Sequence, residues 1–465
     1  MKLRDYQADA VAQIYSDFKI YRKILLCMAT GAGKSETVTY IVRDALEDKV
    51  PVVMVVRGRE LVENLSKRLL KYKIDHSVFM ADHYRYDPRK LVQVCSIDTL
   101  NSRKRYPFVD RQCLVVLDEA HKSYDEIFEN YKTQMILGMT ATPFQNQWNF
   151  DHVIKPIESY ELRDSGSLVP DKIFCPNIVD TSNVKIVAGD FQRDAIEDLM
   201  SQSQIVGNIV DDYIEFGESR PAVCFAVSVE HSKLLAKRFN DSGIPAMHCD
   251  AKSSPEERER AHKGILDGSI KVICNVDIFS VGWDCPPISC VILARPTWST
   301  IWYLQAVGRG LRSHPGKTDC IILDNAGNVF RHGGPYRIRE ISLDKPEKGA
   351  RKKREMDESI TTCKECYLVF PSEEKCCPDC GWTRPPRQIK QIDGKLTEYV
   401  ESPQEKQRRM SIQVQKEYHQ LEYIQRKKGL KPNFVFYKIK EKFGNEGLQT
   451  LEKYLGKSLP AFLYK

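Results

Sequence analysis

Short runs of β-branched and aliphatic residues alternate with helical patterns through most of this chain, and this alternation limits the possible folds more than any other feature. Between the runs, apolar residues recur one helical turn apart, as Leu61, Leu65 and Leu69 do. The pattern is typical of parallel strands joined by helices that cover both faces of a sheet. The predicted strands are Ile24–Met28, Val52–Val56, Val92–Ser96, Leu114–Leu117, Met135–Met139, Ala222–Val227, Ile244–His248, Lys271–Asn275, Cys290–Ala294 and Cys320–Leu323.

The alternation is interrupted at residues 159–189, where Ser, Gly, Asp and Pro accumulate, and it then resumes. We therefore predict an α/β protein with two tandem units, followed by a charged linker, a cysteine cluster and a basic, mainly helical tail. The predicted boundaries are 1–165 for the first unit, 166–200 for a connector, 201–344 for the second unit, 345–360 for the linker, 361–384 for the cysteine cluster and 385–465 for the tail.

The cysteine and charge distributions indicate the compartment in which the protein works and the kind of partner it would bind. Ten of its 15 cysteines precede residue 363, several of them inside apolar runs, which indicates reduced thiols in the cytoplasm. Residues 384–465 hold 18 Lys and Arg against 9 Asp and Glu, which suggests an acidic partner, although a solvated basic surface explains the charge equally well. No apolar run approaches the about 18 residues of a membrane span, and the first residues lack a signal-peptide pattern. We expect no membrane association.

A glycine-rich loop, Ala29–Ser35, follows a predicted strand and precedes a predicted helix. Glycines let such a loop curl so that backbone N–H groups face phosphate oxygens at the positive end of the helix. Lys34 can then reach the β- and γ-phosphates, and the Ser35 hydroxyl can bind Mg²⁺. The usual pattern has Gly where this chain has Met28, and such a loop can also arise by chance. The residues predicted to bind ATP here are Thr30, Gly31, Ala32, Gly33, Lys34 and Ser35.

Two adjacent acids, Asp118 and Glu119, come directly after the apolar run Leu114–Leu117. Neighbouring carboxylates at the end of a buried strand are costly unless a positive group lies beside them. Bound Mg²⁺ would explain Asp118, and a water molecule to be activated would explain Glu119. An acid pair at an ordinary solvent-facing strand end is the alternative, which the upstream glycine-rich loop disfavours.

Two arginines in the second unit, Arg309 and Arg312, are spaced to lie on one face of a helix. Phosphoryl transfer needs positive charge near the γ-phosphate, and an arginine from another lobe can supply it. On their own, two arginines on a helix are more often a solvated face. Their position in a second α/β unit favours the catalytic interpretation.

In chain order, these motifs resemble those of a superfamily 2 helicase or translocase, and the resemblance covers residues 1 to about 345. It implies two tandem RecA-like P-loop domains that hold one ATP between them. The matching segments are Leu3–Gln7 (adenine recognition), Thr30–Ser35 (motif I), Asp118–His121 (motif II, of the DEAH kind), Thr140–Thr142 (motif III), Ser280–Pro286 (motif V) and Gln305–Arg312 (motif VI).

The resemblance also implies roles for individual residues. Gln7, with Arg4, would recognise the adenine base, and Gly282 and Asp284 would contact the nucleotide from the second lobe. Motif V has Ser280 where many members have Thr. The residues implied to relay between nucleotide and lobes are His121, Thr140, Thr142 and Gln305.

The form of motif VI resembles the DNA-directed group that includes XPB and the bacterial RadD-type repair helicases, rather than the RNA-directed members. The RadD-type resemblance extends to the cysteine cluster and, loosely, to the tail, where Lys428 and Gly429 precede Tyr437–Gly444. A phage or bacterial origin fits the compact chain.

Cys363, Cys366, Cys377 and Cys380 form two CxxC turns with ten residues between them. Each turn directs two sulfurs toward one point, and two turns complete a tetrahedral Zn²⁺ site. A redox CxxC would need a thioredoxin-like context, and paired disulfides are disfavoured in a reducing cytoplasm. We predict a zinc ribbon that docks the motor, DNA or a protein partner.

Basic loops after predicted strands are candidate nucleic-acid contacts, and they would bind phosphates without reading sequence. Solvated loops are the alternative for each of them. The candidates are Arg57, Thr99, Arg103 and Arg105.

The combined prediction is a monomeric ATP-dependent DNA helicase or translocase that uses ATP, Mg²⁺ and Zn²⁺ in repair, recombination or replication. Its expected partners are single-stranded, forked or branched DNA and proteins bound through the zinc ribbon or tail. An RNA helicase remains open, as does a nucleic-acid-binding protein in which ribbon and tail carry the function. A restriction-type motor is disfavoured because no nuclease constellation accompanies the motifs.

Overall fold

The computed structural model describes residues 2–464 apart from 176–180, 182–183, 188, 201–202, 280–284, 346–359, 363–368, 372–375, 377–396, 399–401, 429 and 432. The chain divides into two compact units. The larger unit holds residues 1–360 and 385–399 and contains both α/β lobes, and the smaller one holds residues 361–384 and 400–465.

The first lobe contains seven strands: β1 Lys23–Cys27, β2 Val52–Val56, β3 Ser77–Phe79, β4 Val92–Ser96, β5 Leu114–Leu117, β6 Met135–Thr140 and β7 His152–Ile154. They form one parallel sheet in the order β3-β4-β2-β5-β6-β1-β7. Its helices are α1 Asp5–Asp17, α2 Lys34–Glu47, α3 Arg59–Lys71, α4 Ile97–Arg103, α5 Asp125–Asn130 and α6 Ser159–Asp164, with a 3₁₀ turn at Gln147–Asn149.

Burial explains why these segments form a parallel sheet. Every residue of β2, β4 and β5 is buried, as expected for strands covered by helices on both faces. Strand β6 lies between β5 and β1, so the loops that follow these three strands emerge side by side at one edge of the sheet. The predicted phosphate loop and acid pair therefore come together there.

The second lobe contains the strands β8 Asp171–Cys175, β11 Ala222–Phe225, β12 Ala246–Cys249, β13 Val272–Asn275, β14 Cys290–Leu293, β15 Cys320–Leu323 and β18 Thr397–Glu398. They form a seven-stranded sheet in the order β12-β13-β11-β14-β15-β8-β18, in which β18 alone is antiparallel to its neighbour. A separate two-stranded sheet of β9 Ile186–Val187 and β10 Asp190–Phe191 precedes the helices of this lobe. The helices are α7 Arg193–Met200, α8 Ser203–Phe216, α9 Val229–Asp241, α10 Pro255–Asp267, α11 Thr300–Val307 and α12 Asn328–His332.

Strand β8 lies inside the stretch 166–200 that the sequence predicted as an irregular connector. It pairs in parallel with β15 along four residues, from Asp171 beside Cys320 to Phe174 beside Leu323. The second sheet therefore begins inside the predicted connector rather than after residue 200. The strand was overlooked because it is short and because only alternate residues, Ile173 and Cys175, are buried.

Asp212 of α8 is a buried acid in the second lobe (6% exposed) that accepts a hydrogen bond from the Asn325 side chain. Burial raises the pKa of Asp212 to about 7. A carboxyl group whose pKa is higher in the folded than in the unfolded state destabilises the fold above the folded pKa, and stability recovers as the pH falls through it.

We expect Asp212→Asn to raise the melting temperature by a few degrees at about pH 8 and to reduce the gain in stability that the wild type shows between about pH 8 and pH 6. The new amide can donate to Asn325 Oδ1, which has no hydrogen-bond partner among the described residues. Thermal unfolding across this pH range measures the effect, with Asp241→Asn at an exposed position of α9 as the control. An equal loss of stability at both pH values would contradict the prediction.

The smaller unit contains two helices, α13 Pro403–Lys428 and α14 Phe434–Leu455, and a two-stranded sheet of β16 Ile360–Thr362 and β17 Val369–Pro371. Gly444 interrupts α14 with φ of +65° and ψ of −162°. The helices share a small apolar core with the residues that follow them, made of Val414, Leu421, Val435, Ile439, Leu448, Leu451, Leu459 and Leu463.

None of the described helices combines the length and the apolar character needed to cross a membrane.

Candidate active site

The phosphate loop curls as its glycines predict. Gly31 and Gly33 have φ of +88° and +81°, in the left-handed region that favours glycine. The loop connects β1 to α2, and Lys34 is the first residue of that helix. A Cβ atom on Gly33 would lie 2.3 Å from Gln7 Nε2, so the space around the loop also requires glycine there.

Lys34 lies between the loop and the acid pair. Its Nζ donates to Met28 O (2.9 Å) and to Ala29 O (3.4 Å). Burial lowers the pKa of Lys34, while the charges of Glu119 and Asp118 act in the opposite direction. The ammonium group is therefore within electrostatic reach of both predicted catalytic acids.

Gln7 contacts the phosphate loop directly. Its Nε2 donates to Ala32 O (3.2 Å) and Gly33 O (3.3 Å), and its Oε1 accepts from the Arg4 backbone N–H (2.9 Å). Tyr6, which the sequence analysis did not select, donates its hydroxyl to Ala32 O (2.8 Å) and accepts from Arg4 Nη1 (3.0 Å). The start of α1 is thus attached to the phosphate loop by hydrogen bonds from the Tyr6 and Gln7 side chains.

Gln7→Ala is expected to raise KM for ATP about tenfold, because two hydrogen bonds that hold the loop are lost. Steady-state hydrolysis of ATP and GTP measures the effect. A loss for ATP alone would indicate base recognition, whereas an equal loss for both nucleotides would indicate loop positioning. Unchanged KM for both would contradict either role. Gln13→Ala, at an exposed position on the same helix, is the control.

The acid pair lies directly after β5. Glu119 has φ of +50°, an uncommon conformation for a residue other than glycine, and its backbone N–H donates to Asp118 Oδ1 (2.9 Å). Burial and the adjacent Glu119 raise the pKa of Asp118. Burial also raises the pKa of Glu119, but nearby His121, Lys34 and Lys122 together lower it by more. The environment therefore separates two adjacent carboxyl groups into one with a raised and one with a lowered pKa.

His121 connects this pair to the strand that follows motif II. Its Nδ1 lies 3.3 Å from Glu119 Oε2, 3.0 Å from Thr140 Oγ1 and 3.5 Å from Thr142 Oγ1. His121, Thr140 and Thr142 are buried and Glu119 is partly buried, so the four residues form one cluster between motifs II and III. Gln305, the other predicted relay residue, is buried in α11, and its Nε2 has no hydrogen-bond partner within the described part of the chain.

The second lobe packs directly against the phosphate loop. A Cβ on Gly308 would lie 3.0 Å from Thr30 Cβ, and one on Gly31 would lie 2.8 Å from Leu168 Cδ2 and 3.6 Å from Arg312 Cγ. Arg312 also forms an isolated β-bridge with Leu168. Motif VI and the phosphate loop, more than 270 residues apart in sequence, are therefore in contact.

The expectation that Arg309 and Arg312 share a helix face is wrong. Helix α11 ends before either residue, Arg309 lies in the turn that follows, and Arg312 lies in the β-bridge. The chain leaves the helical path there, because Leu311 O accepts from the Val169 backbone N–H (2.9 Å) and Arg312 pairs with Leu168. Both arginines nevertheless act on Lys34, whose pKa is lowered mainly by burial and further by their charges.

The four predicted nucleic-acid contacts lie after β2 and β4. Arg57 donates from Nη2 to Ser123 O (3.0 Å), and Arg103 and Arg105 are exposed. Thr99 is buried in α4 (6% exposed), so its side chain does not face solvent. Exposure therefore favours the arginines over the threonine as surface contacts.

Two further residues of the site carry no sequence signal. Asn146 donates from Nδ2 to His121 O (2.8 Å) and fixes the end of motif II. Leu168 covers the phosphate loop beside Gly31 from a segment that resembles no motif. Tyr6 could have been found, because it adjoins Gln7 in the first matching segment.

Gly282 and Asp284 of motif V and the cysteines Cys363, Cys366, Cys377 and Cys380 lie outside the described residues. Strands β16 and β17 flank the first two of these cysteines. Among the residues that are described, no group of three or more His, Cys, Asp and Glu side chains could hold a metal ion.

ATP with Mg²⁺ fits the residues present. The loop offers two left-handed glycines and a helix N-terminus, both of which suit phosphate oxygens. The partly buried Asp118 carboxyl, with its raised pKa, is a group that a divalent cation would stabilise in its charged form. Ser35 lies in the first turn of α2, where its hydroxyl can join Asp118 as a ligand.

Comparison with known proteins identifies the family. The model of the type III restriction enzyme res subunit matches residues 1–145, and the model of the helicase conserved C-terminal domain matches residues 205–314. The chain is also 30% identical over 361 residues to a 51.5 kDa protein of Lactococcus phage (isolate 7-9), an alignment that covers 76% of each chain. This chain is a superfamily 2 helicase.

The helicase is also similar to proteins that act on DNA. It is 22% identical over 360 residues to the DNA 3′-5′ translocase XPB2 of Sulfurisphaera tokodaii, which covers 67% of the helicase and 79% of that protein. The ATP-dependent type ISP restriction-modification enzyme LlaBIII, solved bound to DNA, superposes with a TM-score of 0.52 at 19% identity. That match covers 69% of the helicase but 27% of the restriction enzyme, so the likeness concerns the two-lobed fold.

Proposed function

We propose that this helicase is an ATP-dependent DNA translocase or helicase of the RadD type that acts in DNA repair, recombination or replication. The contact of Gly308 and Arg312 with Thr30 and Gly31 carries the proposal, because it brings arginine charge from one lobe to the phosphate loop of the other. A nucleotide bound there would be enclosed by both lobes, and its hydrolysis would change their contact.

Each charged residue of the site has a proposed role. Lys34 binds the β- and γ-phosphates, and Ser35 and Asp118 hold Mg²⁺, which neutralises phosphate charge when bound. Glu119 has a lowered pKa, so it is ionised and can accept a proton from the attacking water. Arg309 and Arg312 stabilise the charge of the transition state.

The cluster around His121 would transmit the state of the site. His121 contacts both Glu119 and Thr140, so a change at the γ-phosphate that moves the carboxylate also moves the end of β6. Gln305 of the second lobe has a side-chain donor, Nε2, with no hydrogen-bond partner among the described residues, and it would take part in the same coupling. Movement of either lobe along a strand would follow from this coupling.

DNA is the proposed substrate for two reasons. The similar protein XPB2 is a DNA translocase. In addition, the basic residues Arg57, Arg103 and Arg105 lie in the segments that follow strands β2 and β4 of the first sheet. A Zn²⁺ ribbon at Cys363, Cys366, Cys377 and Cys380 belongs to the same proposal. Metal analysis of the purified protein tests it: one equivalent of zinc is expected, and its loss after Cys→Ser changes at two of the four positions.

The decisive experiment measures ATP hydrolysis with single-stranded, duplex and forked DNA and with RNA. We expect DNA to stimulate hydrolysis at least about tenfold and more than RNA does, with a strong dependence on salt. Greater stimulation by RNA would indicate an RNA helicase. A rate that none of the four ligands raises above the rate without nucleic acid would overturn the proposal of a nucleic-acid motor.

A further inference from the structure

A surface of mixed aromatic and basic character lies beside the predicted nucleic-acid contacts of the first lobe. The β3–β4 loop provides Tyr84 and Tyr86, the last residue of α4 is Arg103, and the segment after α4 provides Arg105. Tyr84 is 85% exposed and Tyr86 is 37% exposed, so both rings are accessible to a ligand. We name these four residues the aromatic–basic surface.

The two segments meet through ring contacts. The Arg105 guanidinium lies 5.8 Å from the centre of the Tyr86 ring, and that of Arg103 lies 5.7 Å from the centre of the Phe79 ring. Tyr86 and Phe79 are 5.2 Å apart between ring centres. The arginines therefore lie beside the aromatic rings with their charged ends at the surface, an arrangement that keeps both chemistries available to one ligand.

The loop that carries the tyrosines is held in place. Its backbone accepts from the Gln93 side chain at Asp87 O (3.0 Å) and Lys90 O (2.8 Å), and Val78 N donates to Arg85 O (3.1 Å). An exposed ring on a fixed loop loses little conformational freedom on binding, which favours recognition by stacking.

A pocket opens between the two segments, lined by Phe79, Tyr86, Gln93, Arg105, Tyr106 and Phe108. Gln93 is buried (1% exposed) at the base of this region. Aromatic walls with one arginine suit a flat heterocycle.

Charge favours an anionic ligand. Residues 81–111 contain seven Lys and Arg against four Asp. A ligand that combines phosphates with flat aromatic groups is a nucleic acid whose bases are unpaired, because paired bases cannot offer their faces to protein rings.

We propose that the aromatic–basic surface and its pocket bind single-stranded DNA, with bases stacked on Tyr84 and Tyr86 and phosphates beside Arg103 and Arg105. The inference rests on the proposed function and extends it, since it assigns a stacking site at the edge of the first sheet, outside the segments that match helicase motifs.

Binding of two ligands tests the proposal: an oligothymidylate, and a sugar–phosphate chain of equal length without bases. The double change Tyr84→Ala and Tyr86→Ala is expected to weaken oligothymidylate binding about 10- to 100-fold and to leave binding of the base-free chain unchanged. Tyr84→Phe with Tyr86→Phe should retain affinity. Arg105→Ala should weaken both ligands and reduce the slope of log affinity against log salt by about 0.7, unlike Lys19→Ala on a distant exposed turn.

Two safeguards keep the outcome interpretable. Tyr84→Ala alone removes the more exposed ring and should fold normally, and basal ATP hydrolysis without DNA reports on folding of every variant. In the wild type, 2-aminopurine in the strand should be quenched on binding, and the alanine variants should lose the quenching. If DNA stimulates the wild-type ATPase but the alanine variants bind both ligands like the wild type, this inference fails alone. If no nucleic acid stimulates the wild type, the proposed function fails.

Discussion

Glu119→Gln is expected to lower kcat for ATP hydrolysis at least about 100-fold, because the amide cannot accept a proton from the attacking water. Nucleotide binding should persist, since Lys34, the glycines of the loop and Asp118 are unchanged. The change relieves the repulsion between two adjacent carboxylates but also loses the attraction of His121 and Lys34 that lowers the pKa of Glu119, so the two effects oppose each other and the melting temperature should change little. Single-turnover hydrolysis and nucleotide titration separate the two effects.

Glu129→Gln, on an exposed acid of the same lobe, is the matched control and should hydrolyse ATP at the wild-type rate. If Glu119→Gln retains more than about a tenth of kcat, the carboxylate is not the general base. If the variant loses ATP hydrolysis but keeps full biological function, the ribbon and tail would carry the function, as in the binding-protein alternative.

Arg312→Ala is expected to lower kcat about 1,000-fold with a smaller change in KM, because a guanidinium from the second lobe acts mainly on the charge that develops in the transition state. Its Cγ atom lies near Gly31 of the phosphate loop, and its charge already influences Lys34. Arg312→Lys should recover little activity, since an ammonium group lacks the paired donors of the guanidinium. Steady-state kinetics with saturating DNA measure both variants.

Arg238→Ala, which removes an exposed arginine from α9 of the same lobe, should have no effect on kcat. Arg312 also bridges to Leu168, so melting temperatures are needed to separate catalysis from lobe packing. A rise in KM without a fall in kcat would assign Arg312 to nucleotide binding in the ground state and would contradict the transition-state role.

Much of the first lobe could be predicted locally. Strands such as β2 and β5 are short, continuous apolar runs bounded by polar residues. Because such a run is apolar on both faces, it can be buried in a parallel sheet that helices cover on both sides, whichever strands lie beside it. Strand β8 shows where this reasoning ends. Its alternating burial comes from its place near the edge of the second sheet, and neighbours decide that place rather than its own five residues.

The candidate site likewise contains residues that local sequence identified and residues that only the tertiary structure identified. Gly31, Gly33 and Lys34 act through backbone conformation and position in one loop, so local sequence was sufficient to find them. The helix predicted for Arg309 and Arg312 was wrong because Leu311 and Arg312 pair with Leu168 and Val169, a contact between segments that no local pattern relates. Asn146 and Leu168 were overlooked for the same reason.

The alternation of strands and helices, the glycines of the phosphate loop and the order of the motifs were determined by the sequence alone, since each depends on neighbours within a few residues. The tertiary structure decided which side chains meet: Gln7 on the phosphate loop, His121 between Glu119 and Thr140, and Arg312 beside Gly31. The physical reason is that sheet order and lobe contact result from burying surfaces shared by distant segments, and that free energy belongs to the whole fold rather than to any one motif.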